Sequence, residues 1–268
     1  MKSNGVALPI DHPGVTDSEY LARRDVIASA SIDGRSVAPP LIDYTPAEIA
    51  VWHAVSEALS PLHAEFAVEE YLVGAAALGL PVDRVPQLSW VSDRLEALTG
   101  WRVRAVPGLV PIRTFYGSLS ERIFLSTQYV RHPSVPFYTP EPDVIHEMIG
   151  HANALASPRL AALYEAAGRA SLCASTDALL EELSRVFWFT LEFGVAWQAG
   201  DLRTYGAGLL SSFGEIQSFR SSTFEPCDPS VMARRTYDIT AFQEVLFAAD
   251  SFDDAERSLR GHLDSFCR

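Results

Sequence analysis

Six residues, His146-Glu-Met-Ile-Gly-His151, restrict the local fold of this chain more than any other stretch. They hold two of its seven histidines, and imidazole is the commonest metal ligand in proteins. On an ideal helix, residues five apart point roughly 140° away from each other. The two rings therefore cannot share one face of a regular helix. The zinc-peptidase spacing His-Glu-x-x-His keeps its histidines four apart and on one face. Here the second imidazole has to swing round at a distorted or ending turn, and Gly150 would permit one.

A metal site needs a third donor. Arg185-Val-Phe-Trp-Phe-Thr-Leu-Glu192-Phe-Gly194 sets one carboxylate, Glu192, in an otherwise apolar, aromatic run. An ionised carboxylate buried without a partner is costly, so Glu192 is expected to face a cation. Two histidines and one carboxylate with open positions form the ligand set of non-haem iron(II) oxygenases. An exposed helix face or an internal salt bridge would explain the same residue without a metal.

The 268 residues suffice for one large domain with a substantial core. A formal charge of −13 argues against nucleic acid or an anionic membrane as partner. No apolar run reaches the roughly 18 residues of a spanning helix, and the start has no secretory signal. Cys173, Cys227 and Cys267 lack metal-ligand spacing and are read as reduced and structural, which implies a cytoplasmic protein.

Periodicity predicts a mainly α fold with a few short strands and no βαβ alternation. Residues 1–45 should wrap the surface, with a short helix near 18–29. Thr45-Pro-Ala-Glu48 opens a helix that runs through Leu59, and a second runs from Ala64 to Leu80. A third spans Ser89–Leu98 and ends at Gly100. Val103–Val110 and Ile123–Ser126 read as extended. Ser157-Pro-Arg opens a helix through Ala170, and Thr176-Asp opens the one that carries Glu192. One more helix follows Phe252.

Several of these motifs together resemble the pterin-dependent aromatic amino acid hydroxylases. They are Tyr138-Thr-Pro-Glu-Pro-Asp143, His146–His151, Trp188-Phe-Thr-Leu-Glu192-Phe-Gly194 and Tyr205-Gly-Ala-Gly-Leu-Leu-Ser-Ser-Phe-Gly-Glu215. Asp11-His-Pro-Gly14, Tyr20 with Arg23-Arg24, Pro86-Gln-Leu88, Thr99-Gly100 and Tyr237–Gln243 occur in the family's order. The resemblance, closest to phenylalanine 4-hydroxylase, implies a single catalytic domain over 1–268. It implies no regulatory domain and no tetramerisation tail, hence a monomer. It also implies that His146, His151 and Glu192 bind Fe(II), and that tetrahydropterin and O2 are consumed. The pterin would lie along Val106, Gly108, Leu109 and Val110, with Phe115 stacking on it and Glu147 facing it.

The same resemblance assigns the amino acid substrate. Arg131 would bind its carboxylate, Asp143 would hold Arg131, and Thr139 and Ser211 would add hydrogen bonds. Pro142, Trp188, Phe193 and Gly208 would wall the ring. Trp188 is similar to the phenylalanine and tyrosine enzymes, whereas tryptophan hydroxylases tend to carry phenylalanine there. Ile239 stands where tyrosine hydroxylases carry aspartate. L-phenylalanine to L-tyrosine is the expected reaction, with tryptophan hydroxylation or a different ring position as alternatives. Ile112, Leu125, Phe187 and Ala152-Asn153 depart from the animal enzymes without removing a ligand. A zinc hydrolase with Glu147 as base, or a non-catalytic amino acid or pterin sensor, would be the rival functions.

Overall fold

The computed structural model describes residues 12–31, 39–139, 141–239 and 241–268. The motif residues Asp11, Pro140 and Thr240 lie outside them. Thirteen α-helical segments and six short strands are present among the described residues. Near the N-terminus α1 (Pro13–Thr16) and α2 (Ser18–Ser31) replace the single short helix expected there. Tyr20 Oη donates to Val130 O at 3.1 Å and Arg24 Nη2 to Glu141 at 2.6 Å, so this segment braces the stretch around Arg131 from behind.

Helix α3 (Pro46–Phe66) begins where the capping pattern predicts. Thr45 and Glu48 each bond the other's backbone N–H, a capping box. It runs straight through Pro61 instead of stopping near Leu59, and the break falls at Ala67–Val68. The reason is tertiary: Val68 N–H donates to Thr204 O, drawing that residue toward a strand edge. Helices α4 (Glu69–Leu78) and α5 (Leu88–Thr99) follow, and Gly100 closes α5 in the left-handed region at φ 78°.

Strand β1 (Arg102–Ala105) is half as long as the extended stretch expected over 103–110. It pairs in parallel with β2 (Ile123–Ser126) across α6 (Ile112–Ser120). This is a βαβ unit, which the periodicity reading had excluded. Two four-residue strands are too short to signal alternation.

After a long irregular stretch the chain enters a π-helical turn (His146–Ala152) that passes directly into α7 (Asn153–Leu155), then α8 (Pro158–Cys173). Helix α9 (Asp177–Phe187), capped by Thr176, ends in a second π-helical turn (Trp188–Glu192). A four-stranded sheet follows, in the order β4 (Asp201–Thr204), β3 (Val195–Gln198), β6 (Val245–Ala249), β5 (Thr223–Pro226). Between its strands lie α10 (Ala207–Ser211), α11 (Phe213–Ser218) and α12 (Pro229–Met232), and α13 (Phe252–Ser265) ends the chain.

One large apolar cluster joins α3–α9 and α13 around the first π-turn, with Tyr71, Trp101, Phe124 and Tyr164 among its most buried members. Helix α13 lies on α8, which brings Cys267 to Cys173 with their Cα atoms 5.2 Å apart and a disulfide between them. The reading of all three cysteines as reduced is therefore wrong for this pair. Their 94-residue separation hides the contact, and with it goes the argument for a cytoplasmic location. Cys227 is free, and burial pushes its thiol up to about 12. No helix among the described residues is long and apolar enough to cross a membrane.

Candidate metal centre and adjoining cavities

A π-helical turn advances by hydrogen bonds to the fifth residue, not the fourth. His146 and His151 are one such turn apart, so their rings fall on the same side. Of the two options the spacing left, a distorted or an ending turn, the structure has the distorted one, and the helix continues past Gly150. That glycine instead permits close packing: a Cβ there would lie 2.7 Å from Ala207 O. The Nε2 atoms of the two histidines face each other at 3.0 Å. The second π-turn brings in Glu192, whose Oε1 is 3.2 Å from His151 Nε2 and whose Oε2 is 3.8 Å from His146 Nε2.

The outward nitrogens are held by oxygen partners. His146 Nδ1 meets Ser211 Oγ at 2.8 Å, and that hydroxyl donates its hydrogen to Ala207 O at 2.8 Å. The imidazole must then be the donor, which leaves Nε2 as a free lone pair aimed at its neighbours. His151 Nδ1 meets Tyr164 Oη at 2.9 Å. Burial, with His151 beside it, pushes His146 down to about 4, so it stays neutral as a metal ligand requires. Burial alone would raise Glu192, but the two imidazoles and the Gly208 N–H hold it below the usual carboxylate range. Three donor atoms of the types that divalent iron takes thus converge within 4.8 Å of one another, and the residues fit such an ion.

Two cavities meet at this triad, and His146 and Glu192 line both. The smaller, about 250 Å³, collects all six residues expected around a pterin: Val106, Gly108, Leu109, Val110, Phe115 and Glu147. Thr127, Phe124 and Tyr116 also line it, and the motifs gave no sign of them. Phe115 packs edge-on against Tyr116, Phe124 and Phe187. Burial pushes the Glu147 carboxyl up to about 8, so at neutral pH it keeps its proton and can donate a hydrogen bond into the cavity.

That shift makes a stability prediction. The folded-state value lies above the group's ordinary 4.5, so the group's contribution is fullest below 4.5 and is lost as pH rises to about 8. Replacing Glu147 with Gln should raise the melting temperature of the metal-free protein relative to wild type. The gain should grow across that window to roughly 3 °C or more. A gain that stays flat with pH would remove the buried carboxyl as its cause.

The larger cavity, about 320 Å³, is lined by Arg131, Thr139, Pro142, Trp188, Phe193, Gly208 and Ser211. Asp143 lies behind Arg131, fully buried, and receives its backbone N–H at 2.8 Å, Nε at 2.9 Å and Nη2 at 2.7 Å. The Asp143 Oδ1 also accepts the His146 N–H at 3.2 Å, so one carboxylate braces both the arginine and the first turn of the metal helix. Thr139 Oγ1 donates to Glu141 O, and Ser211 serves His146, so neither hydroxyl's hydrogen is spare. His132, the histidine next to Arg131, does not orient it. It pairs with Asp17 at 3.2 Å and with Ser134.

Trp188 stacks on Tyr237 at 4.2 Å and 8°, touches Phe193 at 4.6 Å, and donates Nε1–H to Gln243 Oε1 at 3.0 Å. Gly208 is required by that wall, because a Cβ would lie 2.7 Å from Phe193 Cζ. Glu215, Phe137 and Phe242 also line it. The family motif contained Glu215, but nothing in the pattern pointed it inward.

Residues 1–268 match the family described as biopterin-dependent aromatic amino acid hydroxylase. The phenylalanine 3-hydroxylase of Streptomyces coeruleorubidus is 44% identical over 255 residues, covering 95% of this chain and 91% of that protein. Tyrosine 3-monooxygenase of Rattus norvegicus is 42% identical over 97% of this chain, which spans 54% of that longer protein. A crystal structure of Chromobacterium violaceum phenylalanine hydroxylase with bound iron(III) and 7,8-dihydrobiopterin superposes with a TM-score of 0.83. It is 31% identical and covers 96% of this chain and 92% of that one. With the profile running end to end and relatives above 40% identity, the chain belongs to the biopterin-dependent aromatic amino acid hydroxylases.

Proposed function

We propose that this enzyme hydroxylates the ring of L-phenylalanine at the 4-position to give L-tyrosine, using iron held by His146, His151 and Glu192. The convergence of those three donors between two cavities, one with an arginine and aromatic walls, carries this reading. Bound iron and tetrahydropterin together supply the reduction of O2 and the delivery of one oxygen atom to the ring.

The chain's own residues do the positioning. Arg131, locked by Asp143, presents a fixed guanidinium to the substrate carboxylate and can bind it in parallel hydrogen bonds. Trp188, Phe193 and Pro142 surround the ring and exclude water from the reacting face. The Phe193–Gly208 pair sets how deeply the ring can enter. Glu147 presents its carboxyl to the pterin cavity as a hydrogen-bonding group. Ser211 and Tyr164 fix the orientation of the two imidazoles, the kind of support that tunes a metal site.

The similarity to the Streptomyces 3-hydroxylase favours a second reading, in which the same substrate is hydroxylated at the 3-position. An aerobic assay with iron(II), tetrahydropterin and L-Phe, L-Trp or L-Tyr, with products resolved by chromatography, decides between them. Pterin-dependent para-tyrosine is the expected product. Meta-tyrosine would overturn the ring position, and turnover of L-Trp or L-Tyr alone would overturn the substrate.

Replacing Trp188 with Phe should shift preference toward tryptophan by roughly 10-fold or more, the scale of a pocket-size change worth 1–3 kcal/mol. The check is the ratio of kcat/KM for the two amino acids. An unchanged ratio removes Trp188 from the ring wall.

A further inference from the structure

Three acids line the larger cavity: Glu141, Glu192 and Glu215. Glu141 is paired with Arg24 at 2.6 Å, and Glu192 faces the two histidines. Glu215 differs from both. It is 7% exposed, yet among the described residues no lysine, arginine or histidine pairs with it. Its Oε1 accepts the Gln243 backbone N–H at 2.6 Å, and no described residue donates to Oε2. A buried carboxylate with an unused oxygen, opening on a cavity, lacks the cation that would offset its desolvation. Burial accordingly pushes Glu215 up to about 7.

The opposite charge stands on the same cavity wall. Arg131 commits Nε and one hydrogen of Nη2 to Asp143, and Nη1 with the second hydrogen of Nη2 remains for a ligand. An α-amino acid brings both missing partners in one molecule, a carboxylate and an ammonium on the same carbon. We propose that Glu215 is the binding partner of the substrate's α-ammonium group, so that Arg131 and Glu215 together select a zwitterion. The inference rests on the amino acid reading of this cavity.

Glu215 would have a second effect through its other oxygen. Gln243, held by Oε1, donates its side-chain amide to Asp238 O and Ala241 O and accepts from Trp188 Nε1. An ammonium at Oε2 would therefore be tied to the ring wall through one carboxylate.

The test compares L-Phe with 3-phenylpropionate, which keeps the ring and carboxylate and lacks the ammonium. Binding is measured by anaerobic calorimetry on the iron-loaded enzyme without pterin. Wild type should favour L-Phe by at least about tenfold, the scale of a charge-assisted hydrogen bond. Glu215→Gln retains a carbonyl oxygen for the Gln243 N–H and should shrink that preference to about twofold, chiefly by weakening L-Phe. A preference unchanged in Glu215→Gln overturns the assignment and leaves the proposed substrate intact. If the variant does not fold, wild type still decides, because equal affinity for both ligands excludes an ammonium partner. Failure of L-Phe itself to bind wild type would overturn the amino acid reading, and this inference with it.

Discussion

Glu192→Ala is expected to leave a folded protein that no longer retains iron. Loss of a partner that merely supports a ligand costs 10–100-fold in metal affinity, so loss of the only anionic donor should cost roughly 100-fold or more, with turnover falling alongside. The two imidazoles would remain, 3.0 Å apart at Nε2, but two neutral donors cannot balance the charge of a divalent ion in a buried site. The fold should survive, because the Glu192 side chain makes polar contacts at the rim of two cavities and fills no part of the apolar core. Iron content after desalting, a circular dichroism melt and a turnover assay form the test. Stoichiometric iron with unchanged turnover would sink the ligand assignment.

Asp143→Ala should be the most destabilising change around the larger cavity. Arg131 is 4% exposed and directs three N–H groups at this one carboxylate. Removing it strands a buried guanidinium, at a cost of about 3–5 kcal/mol. For a chain of this size that corresponds to a melting point lower by roughly 6–20 °C. The first N–H of the metal helix loses its acceptor in the same step, so iron affinity should drop too, although Asp143 is not among the three metal donors. A wild-type melting temperature would mean that Arg131 has found another anion or water.

The chemistry of the site was legible because it lies in residue types. Two imidazoles and a lone acid in an aromatic run are informative wherever they sit, whereas Arg131 stood out only through the family resemblance. The backbone was less so. The five-residue spacing calls for a distorted or ending turn, and the structure has the distorted one, a change of hydrogen-bond period that the spacing alone does not specify. Periodicity scans assume 3.6 residues per turn or two, and a seven-residue π-turn matches neither.

Long-range contacts were hidden for a different reason. The Cys173–Cys267 pair depends on α13 lying on α8, and the parallel pairing of β1 with β2 depends on where α6 packs. The link from Glu215 through Gln243 to Trp188 joins three residues far apart in sequence. No local pattern carries such information. The continuation of α3 through Pro61 shows packing overriding a local signal: beyond the proline, Leu62 and Phe66 pack against the core and His63 Nε2 meets Leu210 O at 2.6 Å.

The two π-turns also bear on how such a site can change over time. Each is equivalent to one residue inserted into an α-helix, and between them they carry the three candidate metal donors, two on the first and one on the second. Substitution can delete a donor, but it cannot alter the phase between His146 and His151. Deleting a single residue between them would restore the α-helical period and rotate everything beyond by about 100°. It would also create a His-x-x-x-His spacing in one stroke. Passage between the five-residue and four-residue spacings that keeps both of these histidines therefore requires a codon gained or lost. That leaves a lineage free to vary the cavity walls while the phase of its metal helix stays put.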